Sequence, residues 1–235
     1  MFCGNQVALI IPVLNEEAVI GRLVSAIDRS IVDHLIVVNN GSTDQTGMAA
    51  ARAGAQVVDE PRHGYGSACL AGLRYIGDAE IVVFMDGDGS DDPRQIRDLL
   101  DTLISHRLDM VIGSRVLGET ESGALTPVQA LGNWLTTRLV QLFWGVRYTD
   151  LGPFRAIRRS ALDRLKMEDR DFGWTIEMQV KAAQLGMTTR DLPVRRFRRR
   201  SGKSKISGTV IGSFHAGRKI LRYIVVAKVR EWLAR

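Results

Sequence analysis

Short apolar runs alternate with amphipathic stretches through the first half of the chain. Residues 7–11, 34–38, 55–58, 81–85 and 110–112 are dominated by Val, Ile and Leu over lengths that suit buried strands. Between them, residues 17–31 repeat apolar positions at helical spacing, with Val19, Leu23, Ile27 and Ile31 on one face. Residues 45–53, 66–75 and 93–106 read as further helices. Strands that alternate with helices imply an α/β fold, a mostly parallel central sheet with helices on both faces.

The second half is less regular. Residues 118–126 are polar and contain glycine, so a mobile loop is expected there. Residues 128–143 read as a helix whose apolar face carries Leu131, Trp134, Leu135, Leu139 and Leu142. Residues 176–185 read as another helix. Residues 191–194 suggest an edge strand, because Pro193 cannot donate to a ladder. Residues 215–235 read as an amphipathic helix in which Arg and Lys flank Ile, Val and Trp.

Polar residues gather where four of the strands end. Asn15-Glu16-Glu17 follows the first, Asn39 to Asp44 the second, Asp86-Gly87-Asp88 the fourth and Gly113-Ser114-Arg115 the fifth. In a parallel sheet all four ends share one edge, where open α/β sheets bind ligands. Asp86 and Asp88 lie two apart on an extended chain, so both carboxylates can face one cation. Oxygen ligands of this kind suit Mg²⁺ or Mn²⁺. The competing reading is a turn whose Asp side chains cap the next helix, with Pro93 in its first turn. Gly64-Tyr65-Gly66 lacks the third glycine of a dinucleotide fingerprint, Cys69 standing in its place, and no phosphate-binding P-loop motif is present.

Charge sharpens the picture. The net charge is +6, and the seven basic residues from Arg195 to Lys205 more than account for it. That run contains Arg199, Lys203 and Lys205 and no acid. It reads as a local site for an anion. A solvated strand end or a nucleic-acid contact are the other readings; low aromatic content and the lack of a recognition helix speak against nucleic acid. No stretch approaches the ~20 apolar residues that cross a bilayer. The first apolar run has no basic region before it and does not read as a signal peptide. Cys3 and Cys69 suggest neither a disulfide framework nor a zinc site, so a reducing cytoplasm is the expected setting.

The order and spacing of eight segments resemble the family 2 glycosyltransferases of the GT-A fold, in the branch of polyprenyl-phosphate sugar synthases. The segments are 11–17, 37–44, 62–68, 85–93, 113–115, 149–156, 173–177 and 199–205. The resemblance implies a metal-dependent, inverting transfer of a hexose from a nucleotide sugar such as UDP-glucose or GDP-mannose to a polyprenyl phosphate. A soluble or glycan hydroxyl acceptor is the alternative, and a nucleotide-sugar-binding or nucleic-acid-binding protein without turnover is the non-enzyme one. It implies that Pro12, Asn15, Glu16, Asn40, Gly64 and Asp86 hold the nucleotide sugar. Asp88, with Asp86 and Ser90, would hold Mg²⁺ or Mn²⁺. Arg115 would face the phosphates, and Arg155, Arg199, Lys203 and Lys205 the phosphate or acceptor. Glu177 sits near the place of a catalytic carboxylate in inverting relatives; it also reads as a surface residue or an arginine partner. Residues 1–212 would form the catalytic domain and 213–235 a C-terminal amphipathic helix. That helix suits either the inner face of the cell membrane or packing on the domain or in a homodimer.

Overall fold

The computed structural model describes residues 1–199 and 210–233, with backbone alone from 210 to 216. Its centre is a seven-stranded sheet. The strands are β1 (Val7–Val13), β2 (His34–Asn39), β3 (Gln56–Asp59), β4 (Ile81–Phe84), β5 (Met110–Ser114), β6 (Arg155–Arg158) and β7 (Thr189–Pro193), in the order β3-β2-β1-β4-β6-β5-β7. All run parallel except β6, which pairs antiparallel with both β4 and β5. The expected α/β sheet is therefore present, and β7 lies at its edge as the Pro193 argument requires.

Alternation along the strands makes two apolar layers. On one side Ala8, Ile10, Ile36 and Phe84 pack with α3 (Tyr65–Gly72), α6 (Arg159–Leu165) and α7 (Trp174–Gln184). On the other, Leu9, Ile11, Val37 and Val83 pack with α1 (Glu17–Ser25) and α4 (Ile96–Ser105). The small helix α2 (Thr46–Arg52) joins β2 to β3.

Several elements differ from the sequence reading. Helix α1 stops at Ser25 instead of Ile31, because Asp28 accepts hydrogen bonds from the Ser30 N–H and hydroxyl and turns the chain. Ile27 and Ile31 remain buried beyond the helix. Strand β1 continues through Pro12. Ile10 accepts from the Met85 N–H, so its backbone faces β4. Pro12 faces the same way but lies past the end of β4, where no ladder partner needs its missing N–H. Strand β6 and helix α6 were not expected: only Ala156 and Ile157 separate Arg155 from Arg158.

Helix α5 (Pro127–Trp144) opens with a capping box between Thr126 and Gln129 and ends at Gly145, whose φ is 74°. Its orientation reverses the expected one. Asn133, Thr136, Thr137 and Val140 are buried, whereas Leu131, Trp134 and Leu142 are 65%, 55% and 75% exposed. The inward polar groups are satisfied. Asn133 donates to the Thr149 carbonyl and accepts from the Leu151 N–H, and the two threonines donate to carbonyls of their own helix. Helix α8 (Val210–Leu233) packs on α5 and α7 and buries Ile224 in the same core, so the boundary expected at 212/213 falls inside a helix. No helix among the described residues is long and apolar enough to cross a membrane.

Candidate active site

A cleft of about 720 Å³ opens at the edge where β1, β2, β4 and β5 end. Its polar end is built by tight backbone turns. After β4, the chain passes so close to β1 that a Cβ on Gly87 would sit 2.4 Å from Val13 Cγ1. Only glycine allows that approach, and it delivers Asp86 and Asp88 to the cleft beside Pro12. Ser90 then orients Asp88: its N–H donates to Asp88 Oδ1 at 3.0 Å, and its hydroxyl donates to the same oxygen. Ser90 is thus a buried donor to the carboxylate, and its hydroxyl does not reach the cleft as the metal ligand the sequence suggested.

Two arginines face these carboxylates from the strand-end segment after β7. Arg196 Nη1 donates to Asp91 Oδ1 at 2.6 Å, and Nη2 lies 3.5 Å from Asp86 Oδ2. Arg199 pairs with Glu16 Oε1, and its Nη1 stands 3.8 Å from Asp88 Oδ2. Burial and then the repulsion of Asp88 push the Asp86 carboxyl up to about 7, against the pull of Arg196. Burial works against the Arg196 charge, but Asp91, Asp86 and Asp88 outweigh it and hold its pKa above the usual value. Glu16 lines the cleft, and its Oε2 is buried with no hydrogen-bond partner.

A crowded pair of carboxylates is a site that gains from a cation. Among the described residues no three His, Cys, Asp or Glu side chains form a metal-ligand group. A two-carboxylate site fits Mg²⁺ or Mn²⁺ when waters and substrate phosphates complete the coordination.

The other expected residues divide in two. Pro12, Glu16, Asn40, Gly64, Asp86, Asp88, Arg115 and Arg199 line the cleft. Asn40 does so with its amide spent: Nδ2 donates to the Glu60 and Arg62 carbonyls, and Oδ1 accepts from the Gly64 N–H. It shapes the pocket wall and leaves no side-chain N–H for a base. Gly64 and Gly66 are required by protein, not ligand. A Cβ on either would lie 2.1 Å from the Arg170 carbonyl oxygen or 2.0 Å from that of Asp169. Arg115 gives Nε and Nη2 to Asp150, so its fork is engaged by a carboxylate beside the cleft.

Asn15, Arg155 and Glu177 are not brought to the cleft. Asn15, at φ 54°, accepts from the Thr43 N–H and fastens the loop after β2. Arg155 is fully buried and donates to the carbonyls of Leu151, Gly152 and Thr175; no acceptor phosphate can meet it there. Glu177 is also buried. Its oxygens accept from the N–H groups of Glu168 and Asp169, and Lys181 lies 2.7 Å away, so it braces the 168–173 loop. Lys203 and Lys205 lie outside the described residues. Sequence reasoning missed Asp91, and for Asp150, in the 149–156 segment, it missed the role of arginine partner; both are buried and both hold a cleft arginine. It also missed the cleft's second wall, formed by Val128 and Leu135 of α5, Ile220 and Leu221 of α8, and Asp171 and Phe172 between them.

Comparison with known proteins agrees with this geometry. The family model for Glycosyl transferase family 2 matches residues 8–166. An uncharacterized glycosyltransferase of Mycobacterium tuberculosis is 37% identical over 214 residues, which cover 91% of this chain and 95% of that protein. An undecaprenyl-phosphate mannosyltransferase of Micrococcus luteus is 30% identical over 223 residues, covering 88% and 90%. Among solved structures, glucosyl-3-phosphoglycerate synthase from Mycobacterium tuberculosis, in complex with Mn²⁺, UDP-glucose and phosphoglyceric acid, aligns with a TM-score of 0.75. It is 22% identical and covers 96% of this chain and 80% of its own, a likeness of fold. With its GT-A sheet and its carboxylate-lined strand edge, the chain belongs to glycosyl transferase family 2.

Proposed function

We propose that this glycosyltransferase moves a hexose, with inversion, from a nucleoside diphosphate sugar to a polyprenyl phosphate at the cytoplasmic membrane face. One observation carries the reading. The same cleft that holds Asp86 and Asp88 continues to apolar walls on α5 and α8, at Val128, Leu135, Ile220 and Leu221. A polar end for a nucleotide and an apolar end for the partner suit an amphiphilic acceptor. The mannosyltransferase named above supports it, as a relative whose acceptor is undecaprenyl phosphate.

Asp86 and Asp88 are the residues to hold a divalent cation, Mg²⁺ or Mn²⁺. Bound there, it would neutralise the departing diphosphate as charge grows on it. Ser90 keeps Asp88 turned toward the cleft, and Arg196, itself in the cleft wall, holds the carboxylate cluster through Asp91. Glu16, paired with Arg199, borders the same polar end. A phosphate acceptor is already ionised and needs no general base. That agrees with the structural role of Glu177. Its requirement is cations, and Arg199 stands at the polar end with that charge.

A hydroxyl acceptor would need a base within hydrogen-bond reach. Asp171 lines the cleft and is the carboxylate to test for it; Lys219 lies 3.2 Å away. The deciding experiment offers UDP-glucose and GDP-mannose with polyprenyl phosphate, polyprenol or 3-phosphoglycerate as acceptor. Product on polyprenyl phosphate, retained by Asp171→Asn, is expected. Transfer only to a hydroxyl acceptor, abolished by Asp171→Asn, would replace this reading with the other.

A further inference from the structure

Helix α5 turns Asn133, Thr136 and Thr137 toward the protein beside Val140, and leaves Leu131, Trp134, Leu135 and Leu142 facing away from it. Leu131, Trp134, Leu135 and Leu142 recur at the spacing of one helical face, interrupted by the exposed Arg138. Helix α8 repeats the pattern. It buries Ile224 on the domain and exposes Val225, Val229, Trp232 and Leu233 on the opposite side, with Arg218 and Arg222 one turn apart beside them. Contiguous exposed apolar surface of this kind marks an interaction site.

The two helices are fastened to each other. Trp144 Nε1 donates to Glu231 Oε2 at 2.6 Å, and Lys228 Nζ donates to the Phe143 carbonyl at 3.0 Å. Both also border the cleft, through Val128 and Leu135 on one side and Leu221 on the other. We propose that the outward faces of α5 and α8 together dock the enzyme on an anionic lipid leaflet, with the cleft mouth at the lipid surface. This rests on the lipid-phosphate reading above and assigns the surface that would deliver that acceptor.

Charge selects the occupant. Helix α5 contains no acid, and the single acid of α8, Glu231, is turned to Trp144 and Lys228. The exposed charges on these faces are arginines: Arg138, Arg218 and Arg222. Anionic headgroups complement them, and basic residues near such a surface each add to binding. A second copy does not. A two-fold interface would set this face against itself, arginines included, and like charges across an interface oppose association. Trp134 and Trp232, 55% and 72% exposed, are of the residue type that favours the headgroup level.

The test uses the full chain and vesicles of phosphatidylcholine with or without phosphatidylglycerol. The wild type is expected to co-sediment with the anionic vesicles, less so at high salt. Leu131→Glu with Leu142→Glu should lower that partition about tenfold or more while keeping the wild-type unfolding midpoint, since neither side chain is in the core. Quenching of tryptophan emission by brominated anionic lipid should fall in Trp134→Phe, which reads the contact without the double variant. Equal partition of wild type and double variant, or no partition of the wild type, overturns the proposal. So does a wild-type dimer that the double variant dissociates. Failure of the acceptor reading looks different: vesicle binding persists while polyprenyl phosphate in detergent receives no sugar. Failure of the docking surface leaves detergent transfer intact.

Discussion

Asp150 holds Arg115 by three hydrogen bonds: 2.8 Å from its main-chain N–H, 2.7 Å from Nε and 2.6 Å from Nη2. The carboxylate is fully buried, and the guanidinium reaches the cleft. Strand β5 thus ends in a cation whose direction is set by a loop 35 residues away. A buried, bidentate pair of this kind is destabilised strongly when one partner is removed, by about 3–5 kcal/mol. Asp150→Asn keeps one acceptor oxygen and is expected to lose about half that. Urea unfolding should report the loss, and kcat/KM for the donor should fall with it. Unchanged stability would mean that the pair does not organise β5.

Glu177 is expected to act on stability and not on chemistry. Glu177→Gln keeps the shape but weakens two acceptor bonds to backbone N–H groups and the contact with Lys181. About 1–3 kcal/mol of stability should be lost. The turnover of the folded fraction should stay within about threefold of wild type. Loss of the whole rate in a variant that unfolds like wild type would restore a catalytic role to this residue.

Ser90 touches Asp88 from the protein side. Ser90→Ala removes the hydroxyl donor and leaves the Ser90 N–H contact, so Asp88 is less well aimed. Partners one step behind a ligand commonly change metal affinity about 10–100-fold. A rise of about tenfold in the Mn²⁺ concentration needed for half-maximal transfer is expected, with kcat at saturating metal near wild type. Loss of activity that no metal concentration restores would make Ser90 a ligand after all.

The raised carboxyl of Asp86 has a signed consequence for the metal-free enzyme. Its folded pKa is about 7 against 3.8 for an ordinary carboxylate. Between those values the folded state holds more protons than the unfolded state, so stability falls as pH rises across that window. Below about pH 4 both states are protonated and the group contributes nothing. Asp86→Asn cannot ionise and should escape the decline. The two proteins should diverge from about pH 4 to 7, by on the order of 4 kcal/mol at the upper end. Parallel stability profiles across that range would show that Asp86 is not destabilised by its surroundings.

The parallel sheet and its ligand edge were legible because strands of four to seven residues interrupt amphipathic helices, and period and length distinguish the two. Residue type also announced Asp86, Asp88 and Glu16. Position in space was less legible. Arg155 was expected to meet the phosphate or acceptor, yet the Leu151–Gly152 turn and the start of α7 surround it with carbonyls. Gly64 was expected to hold the nucleotide sugar, but the 169–171 backbone, a hundred residues on, occupies the space that the missing Cβ atoms of Gly64 and Gly66 leave. Helix α5 misled for another reason. Apolar periodicity marks a face, and burial against the domain is only one way to cover it; here Asn133 anchors the opposite side to the 149–151 segment.

Direct counting of bound metal tests the central claim best. Mn²⁺ binding, followed by electron paramagnetic resonance in the presence of a nucleoside diphosphate, is expected to give one ion per wild-type chain. Asp88→Asn should abolish it or weaken it at least about a hundredfold, with the fold intact by circular dichroism. One tightly bound ion in Asp88→Asn, held as in wild type, would contradict the assignment of this carboxylate pair.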